Sequence, residues 1–147
     1  MQVGELCSRE VYFVMRDEPL STAAREMRKR HVGALVVAER RGESLTPIGI
    51  VTDRDIVCGQ LARQADLFCL NVSDVMTSHP VTVQETSGVA EAVGRLSARG
   101  VRRAPVVNEA GDLVGLVSFD DLLPAVAAEL AGLAQLVGAQ ARQESVR

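Results

Sequence analysis

Tryptophan is absent from this chain, and Phe, Tyr and Trp together supply only 3% of its residues. The core must therefore be built from Val, Leu, Ile and Ala. Cysteine is scarce too: Cys7, Cys58 and Cys69 form no Cys-x-x-Cys pair and are odd in number, which reads as reduced thiols rather than a disulfide framework. The two histidines, His31 and His79, stand far apart, with no spaced cluster that could ligate a metal. Nothing near the cysteines suggests an activated thiol, and no nucleophile, base and oxyanion constellation points to an enzyme. A basic excess is also missing, since the net charge is −3; this argues against general nucleic-acid or membrane-surface binding. No apolar run approaches the roughly 20 residues needed to span a bilayer. The N-terminus, with Glu5 and Arg9, lacks a signal-like stretch. These absences predict a cytoplasmic protein that meets neither nucleic acid nor membrane.

What the chain does contain is a repeat. Hydrophobic residues make up 47% and charged residues 24% of 147 positions, enough for one domain or two small packed ones. The phrase Gly49-Ile50-Val51-Thr52-Asp53-Arg54-Asp55 returns 66 residues later as Gly115-Leu116-Val117-Ser118-Phe119-Asp120-Asp121. Upstream the offset is 69: Leu20, Ala23, Ala24 and Met27 answer Val89, Ala92, Val93 and Leu96. At the same offset, Val32-Gly33-Ala34-Leu35-Val36-Val37 answers Val101-Arg102-Arg103-Ala104-Pro105-Val106. A duplication of this length marks repeat architecture. The difference of three residues is assigned to a loop, 39–47 against 108–113, where insertions cost little closure entropy. The expected division is repeat 1 at 3–60, linker 61–71, repeat 2 at 72–123, and a C-terminal helix and tail at 124–147.

Periodicity supplies the elements. In the first unit a strand at 11–14 precedes a helix at 19–30, hairpin strands at 34–38 and 48–51, and a helix opened by Thr52. The second unit repeats this with 81–83, 87–99, 104–107, 113–117 and a helix opened by Ser118. Each unit is β-α-β-β-α, an α+β fold whose one-faced sheets should pack on each other. Pro124 lacks the N–H for a bond to Asp120, which predicts a turn over 119–123 and a new helix starting at Pro124. That helix carries Val126, Leu130, Leu133 and Val137 in one stripe, suited to its own core or to a second chain.

Thr52-x-x-Asp55 and Ser118-x-x-Asp121 support two readings. One is a helix capping box, with a hydroxyl at the N-cap and an acid at N3. The other is a nucleotide site, in which the hydroxyl and free backbone N–H groups at a helix N-terminus hold a phosphate. The carboxylate one turn on would accept two ribose hydroxyls. Spacing alone leaves both open.

Taken in order, Val32 to Val37, Gly49 to Asp55, Asp74-Val75-Met76, Gly100 to Val107 and Gly115 to Asp121 resemble a tandem pair of CBS domains, the Bateman module. The resemblance runs over almost the whole chain. It implies two repeats packed through their sheets about a pseudo-twofold axis, with clefts for AMP, ADP, ATP or S-adenosylmethionine and no required cofactor. Carried onto this sequence, it implies Asp55 and Asp121 at the riboses and Thr52 and Ser118 at the phosphates. The adenine walls would come from 9–12, including Val11 and Tyr12, and from 77–81, including His79, Pro80 and Val81. Val32-Gly33-Ala34 and Val101-Arg102-Arg103 would add to them. Arg54, Arg102, Arg103 and His79 are the candidate phosphate cations, and His31 is expected at a helix C-terminus.

The second site, read as Ser118 and Asp121 with Pro80 and the paired arginines, looks the better equipped of the two, but sharing of groups across the pseudo-twofold leaves those arginines open to either cleft. These features predict a non-enzymatic module sensing an adenosyl ligand, acting as a homodimer with an effector protein as a further partner. The competing expectation is a structural or stress-associated dimer that binds no nucleotide, in which the Thr, Ser and Asp residues are caps only.

Overall fold

The computed structural model describes residues 1–146. The first half comprises α1 (Val3–Leu6), β1 (Phe13–Val14), α2 (Leu20–Arg30), β2 (Ala34–Arg41), β3 (Ser44–Thr52) and α3 (Asp53–Arg63). The second comprises α4 (Val72–Val75), β4 (Thr77–Ser78), β5 (Val83–Gln84), α5 (Val89–Arg99), β6 (Arg103–Val107), β7 (Leu113–Ser118) and α6 (Phe119–Val146). Two sheets result, ordered β1-β2-β3-β4 and β5-β6-β7. In each, the first strand runs parallel to the second and the hairpin is antiparallel. The expected α+β architecture, two repeats and a C-terminal helix, is present.

Period-two alternation decides which side chains meet the helices. Leu35, Val37 and Val51 join Leu20, Ala23 and Met27 in one core. Ala104, Val106 and Val117 join Val89, Ala92 and Leu96 in the other. The intervening residues Val36, Ala38, Pro105 and Val107 are buried as well, so both faces of each hairpin are covered. Helices cover one face, and β3 meets β7 between the halves. This is the sheet-to-sheet packing expected of one-faced units.

The halves also exchange their leading segments. Val3 of α1 is fully buried in the second core, and Val72 of α4 is fully buried in the first. Backbone bonds fix the exchange: Val3 N–H donates to Ser87 O and Gly4 N–H to Glu85 O, both at 2.8 Å. At the equivalent places Val72 N–H donates to Glu18 O and Ser73 N–H to Arg16 O, both at 3.0 Å. Fully burying a valine contributes about 1.5–3 kcal/mol, so each half depends on a segment that precedes the other.

The same crossing explains the glycine that opens the duplicated phrase. β4 adds to the first sheet beside Gly49 and Ile50, while Ser8 bridges to Leu116 with paired backbone bonds of 3.0 and 2.9 Å. A Cβ on Gly49 would lie 2.8 Å from Thr77 O, and one on Gly115 would lie 2.7 Å from Cys7 Sγ and 2.9 Å from Ser8 O. Neither glycine has a positive φ. They are needed because another strand passes over them.

Three expectations need correction. The extra residues at 39–47 are not a loop: β2 and β3 pair through to Arg41 and Ser44, with a bulge between Val37 and Ala38. The added length is a hairpin extension closed by a turn with Gly42 at φ 63, hidden in the sequence by its polar residues. Pro124 does not start a new helix, because α6 runs unbroken through it. Leu122 before it and Ala125 and Val126 after it pack on the second core, which holds the helix together on both sides of the missing donor. Finally, the Phe119–Ser145 stretch of α6 is long and apolar enough to cross a bilayer, and little of it is buried in the fold. Interspersed Gly, Ala and Gln, with Asp120, Asp121, Glu129, Arg142 and Glu144 among them, disguised its length.

Candidate functional site

β3 and β7 each deliver a hydroxyl residue to the start of a helix, and the exchanged segments decide what faces it. Thr52 caps α3: its Oγ1 accepts Asp55 N–H at 3.1 Å, and Asp55 Oδ2 accepts Thr52 N–H at 2.9 Å. Ser118 and Asp121 make the same box at 3.3 and 2.8 Å. The capping reading is therefore correct at both places. Ser118 makes one further bond, donating its hydroxyl proton to Asp121 Oδ2 at 3.1 Å. Thr52 shows no such donation, so its proton remains available, as does Asp55 Oδ1.

The backbone amides expected to hold a phosphate at α3 are already engaged. Asp53 N–H donates to Gly33 O at 2.9 Å, Arg54 N–H to Asp53 Oδ1 at 2.8 Å, and Asp55 N–H to Thr52. At α6, Phe119 N–H donates to Arg102 O at 2.7 Å. An anion at α3 would have to be held by side chains.

Two clefts flank these boxes, each assembled from both halves. The first encloses about 670 Å³ and is lined by Thr52, Arg54 and Asp55 from one half and by His79, Pro80, Val81, Val101, Arg102 and Arg103 from the other. Thr77 lines it too, as the 77–81 segment implied, and Ile50, Arg99 and Gly100, which were not candidate site residues, complete the lining. The second, about 270 Å³, is lined by Ser118 and Asp121 with Tyr12, Val32 and Ala34, to which Ser8, Glu10 and Leu116 are added. Val11 and Gly33 do not line it. Gly33 lies against Asp53 instead, where a Cβ would come within 3.0 Å of Oδ2.

Pro80 and the double arginine, grouped with Ser118 and Asp121 in the sequence but assigned there to no single cleft, line the other one. The pseudo-twofold crossing puts those residues opposite Thr52 and Asp55. Charge separates the clefts accordingly. At the 69-residue offset His79 matches Glu10, while Arg102 and Arg103 match Gly33 and Ala34. The second cleft has two acids and no basic residue among its lining residues. Beside it, Arg30 is occupied with the Tyr12 ring at 4.7 Å and Glu26 at 3.5 Å.

Backbone conformation adds to the first cleft's distinction. His79 is held at φ 53 in the left-handed region, a conformation few non-glycine residues adopt. His31, at φ 55, caps the C-terminus of α2 as expected. Arg102 has a second contact outside the cleft, its guanidinium lying 5.5 Å from the centre of the Phe119 ring at the start of α6. Gly100, Val101 and Arg102 line both the first cleft and an apolar groove of about 330 Å³ between α5 and α6.

The fold and its paired composite clefts define a duplicated two-cleft architecture, and comparison with known proteins supplies its family. The CBS domain model matches residues 3–59 and 72–128. This chain belongs to the CBS domain family. An uncharacterised protein of Methanopyrus kandleri is 32% identical over 123 residues, covering 84% of this chain and 61% of that protein. The uncharacterised protein YlbB of Bacillus subtilis is 32% identical over 121 residues, covering 82% of this chain and 79% of its own. Among solved structures, a CBS domain protein from Pyrobaculum aerophilum complexed with AMP superposes with a TM-score of 0.77 at 30% identity. That match covers 90% of this chain and 99% of the other.

Proposed function

We propose that this chain is a regulatory module, without catalytic activity of its own, that binds a phosphorylated adenosyl ligand such as AMP, ADP or ATP in the first cleft. The observation that carries this reading is the composite charge of that cleft: Thr52 and Asp55 face His79, Arg102 and Arg103. Asp55 Oδ1 is left to accept ribose hydroxyls, and the Thr52 proton and the arginines are left to meet phosphate. The apolar part of Ile50, Pro80, Val81 and Val101 suits a base. The volume lies in the range of about 300–1,000 Å³ usual for small-ligand sites. The AMP bound by the Pyrobaculum relative supports the same ligand class. The second cleft, about 270 Å³ and lined by Glu10 and Asp121 without a cation, is the poorer place for a phosphate. Output passes through association with a second copy or an effector protein, and Arg102, shared between cleft and groove, is the residue placed to relay it.

Calorimetric titration of the full chain with AMP and with adenosine tests the reading. AMP should bind at least tenfold more tightly, and the difference should shrink as salt rises, because the cations are partly exposed. Equal affinities would remove the phosphate role assigned to the first cleft. Absence of binding by both would favour the purely structural alternative.

A further inference from the structure

Helix α6 carries a row of large apolar residues that its own fold does not cover. Phe119, Leu123, Val126, Leu130, Leu133 and Val137 recur at alternating spacings of four and three, the seam of a helix that packs against another helix. The first three line the groove against α5, together with Val93, Leu96 and Val101. The last three are well beyond the body, with Leu130 62%, Leu133 60% and Val137 66% exposed. The opposite side of the helix is lined by Ala128, Ala131, Gly132, Gln135, Ala139 and Arg142. Leu122, buried, and Leu136, 64% exposed, flank the row on one edge, so the large apolar residues still keep to one side, a pattern for a helical partner rather than for lipid on all sides.

The spacing also reads the same in both directions about its midpoint. Turned end for end, the seam places Val137 over Phe119, Leu133 over Leu123 and Leu130 over Val126. An antiparallel copy therefore lays the three uncovered tail residues across the three groove residues, and does so twice about a twofold axis. The contact would run for roughly 27 Å at 1.5 Å of rise per residue. A parallel copy would pair tail with tail and leave both grooves open, a poorer outcome for exposed apolar surface.

We infer that the groove between α5 and α6 is the docking site for the tail of α6 from a second copy, in an antiparallel helix pair. The inference does not depend on any ligand. Arg102, over Phe119 at the end of this contact, places the pair next to the first cleft.

Thiol crosslinking reads the direction of the pair. Val126→Cys and Leu130→Cys are each made in a Cys58→Ser, Cys69→Ser chain, mixed, oxidised and mapped by mass spectrometry. Antiparallel packing predicts a 126–130 linkage that is abundant in the mixture and scarce in either variant alone. A 130–130 linkage from Leu130→Cys alone would show a parallel pair and overturn the inference. Leu130→Asp in the otherwise native chain, at a position exposed within one copy, should leave helicity intact and shift the light-scattering mass from dimer to monomer. A native chain that is monomeric at micromolar concentration, neither linkage forming, or recovery of the native chain as monomers on phosphatidylcholine vesicles would each overturn it.

Discussion

Replacing Asp55 with alanine separates the two jobs that the structure gives its carboxylate. Oδ2 accepts the Thr52 N–H at 2.9 Å and closes the start of α3, while the carboxylate also lines the first cleft. Losing the first bond costs about 0.5–1.5 kcal/mol of stability, and losing an acid from the first helical turn costs about 0.3–1 kcal/mol more. For a chain of this size each kcal/mol lowers Tm by roughly 2–4 °C, so the variant should remain folded near room temperature. Losing two ribose hydroxyl bonds to a charged acceptor costs about 1.5–3 kcal/mol of binding, a weakening of roughly ten- to 150-fold. Asp121→Ala should cost similar stability yet leave AMP affinity nearly unchanged, because Asp121 faces the acidic cleft. Titration calorimetry with AMP, alongside melting without ligand, measures both effects. A folded Asp55→Ala that binds AMP as the native chain does, with a weakened Asp121→Ala, would show that the clefts have been assigned the wrong way round.

Three further outcomes follow from the same geometry. Gly115→Ala forces a Cβ toward Ser8 O and Cys7 Sγ and should destabilise by about 1–3 kcal/mol through overpacking, read in a urea melt; unchanged stability would refute the close crossing. Arg102→Ala should weaken AMP binding by roughly fivefold, about 1 kcal/mol, and reduce its salt dependence, whereas Arg102→Lys should retain most of it; equal loss in both would point to packing on Phe119 rather than charge. Burial pushes the Cys7 thiol above its ordinary range, outweighing the nearby Arg9 guanidinium, so the thiolate is scarce at pH 8. Alkylation of Cys7 should lag behind that of exposed Cys58 and accelerate as pH rises, followed by peptide mass analysis; early modification of Cys7 would contradict its burial.

The duplicated phrase made the two halves readable, because a hydroxyl, an acid and a flanking β-branched run recur at nearly constant spacing. Apolar periodicity likewise located α2, α5 and both hairpins, since Leu20, Ala23 and Met27 and their counterparts must face a core. What periodicity cannot show is which half a segment joins. Val3 and Val72 open four-residue helices, too short for a pattern, and the packing of the halves across β3 and β7 is what brings Arg102 and Arg103 to the cleft of Asp55. Gly49 and Gly115 held the available hint, as glycines inside strands with no turn to demand them. The unbroken α6 was hidden by a local rule: Pro124 removes one bond, but packing on either side and the helix-favouring residues beyond it prevail.

A crystal structure of the full chain with AMP would test the central claim most directly. The account predicts one well-ordered nucleotide in the first cleft, with its ribose hydroxyls on Asp55 and its phosphate within hydrogen-bonding reach of Thr52 and at least one of His79, Arg102 and Arg103. A nucleotide seated instead on Ser118 and Asp121, or a phosphate directed away from the arginines, would contradict it.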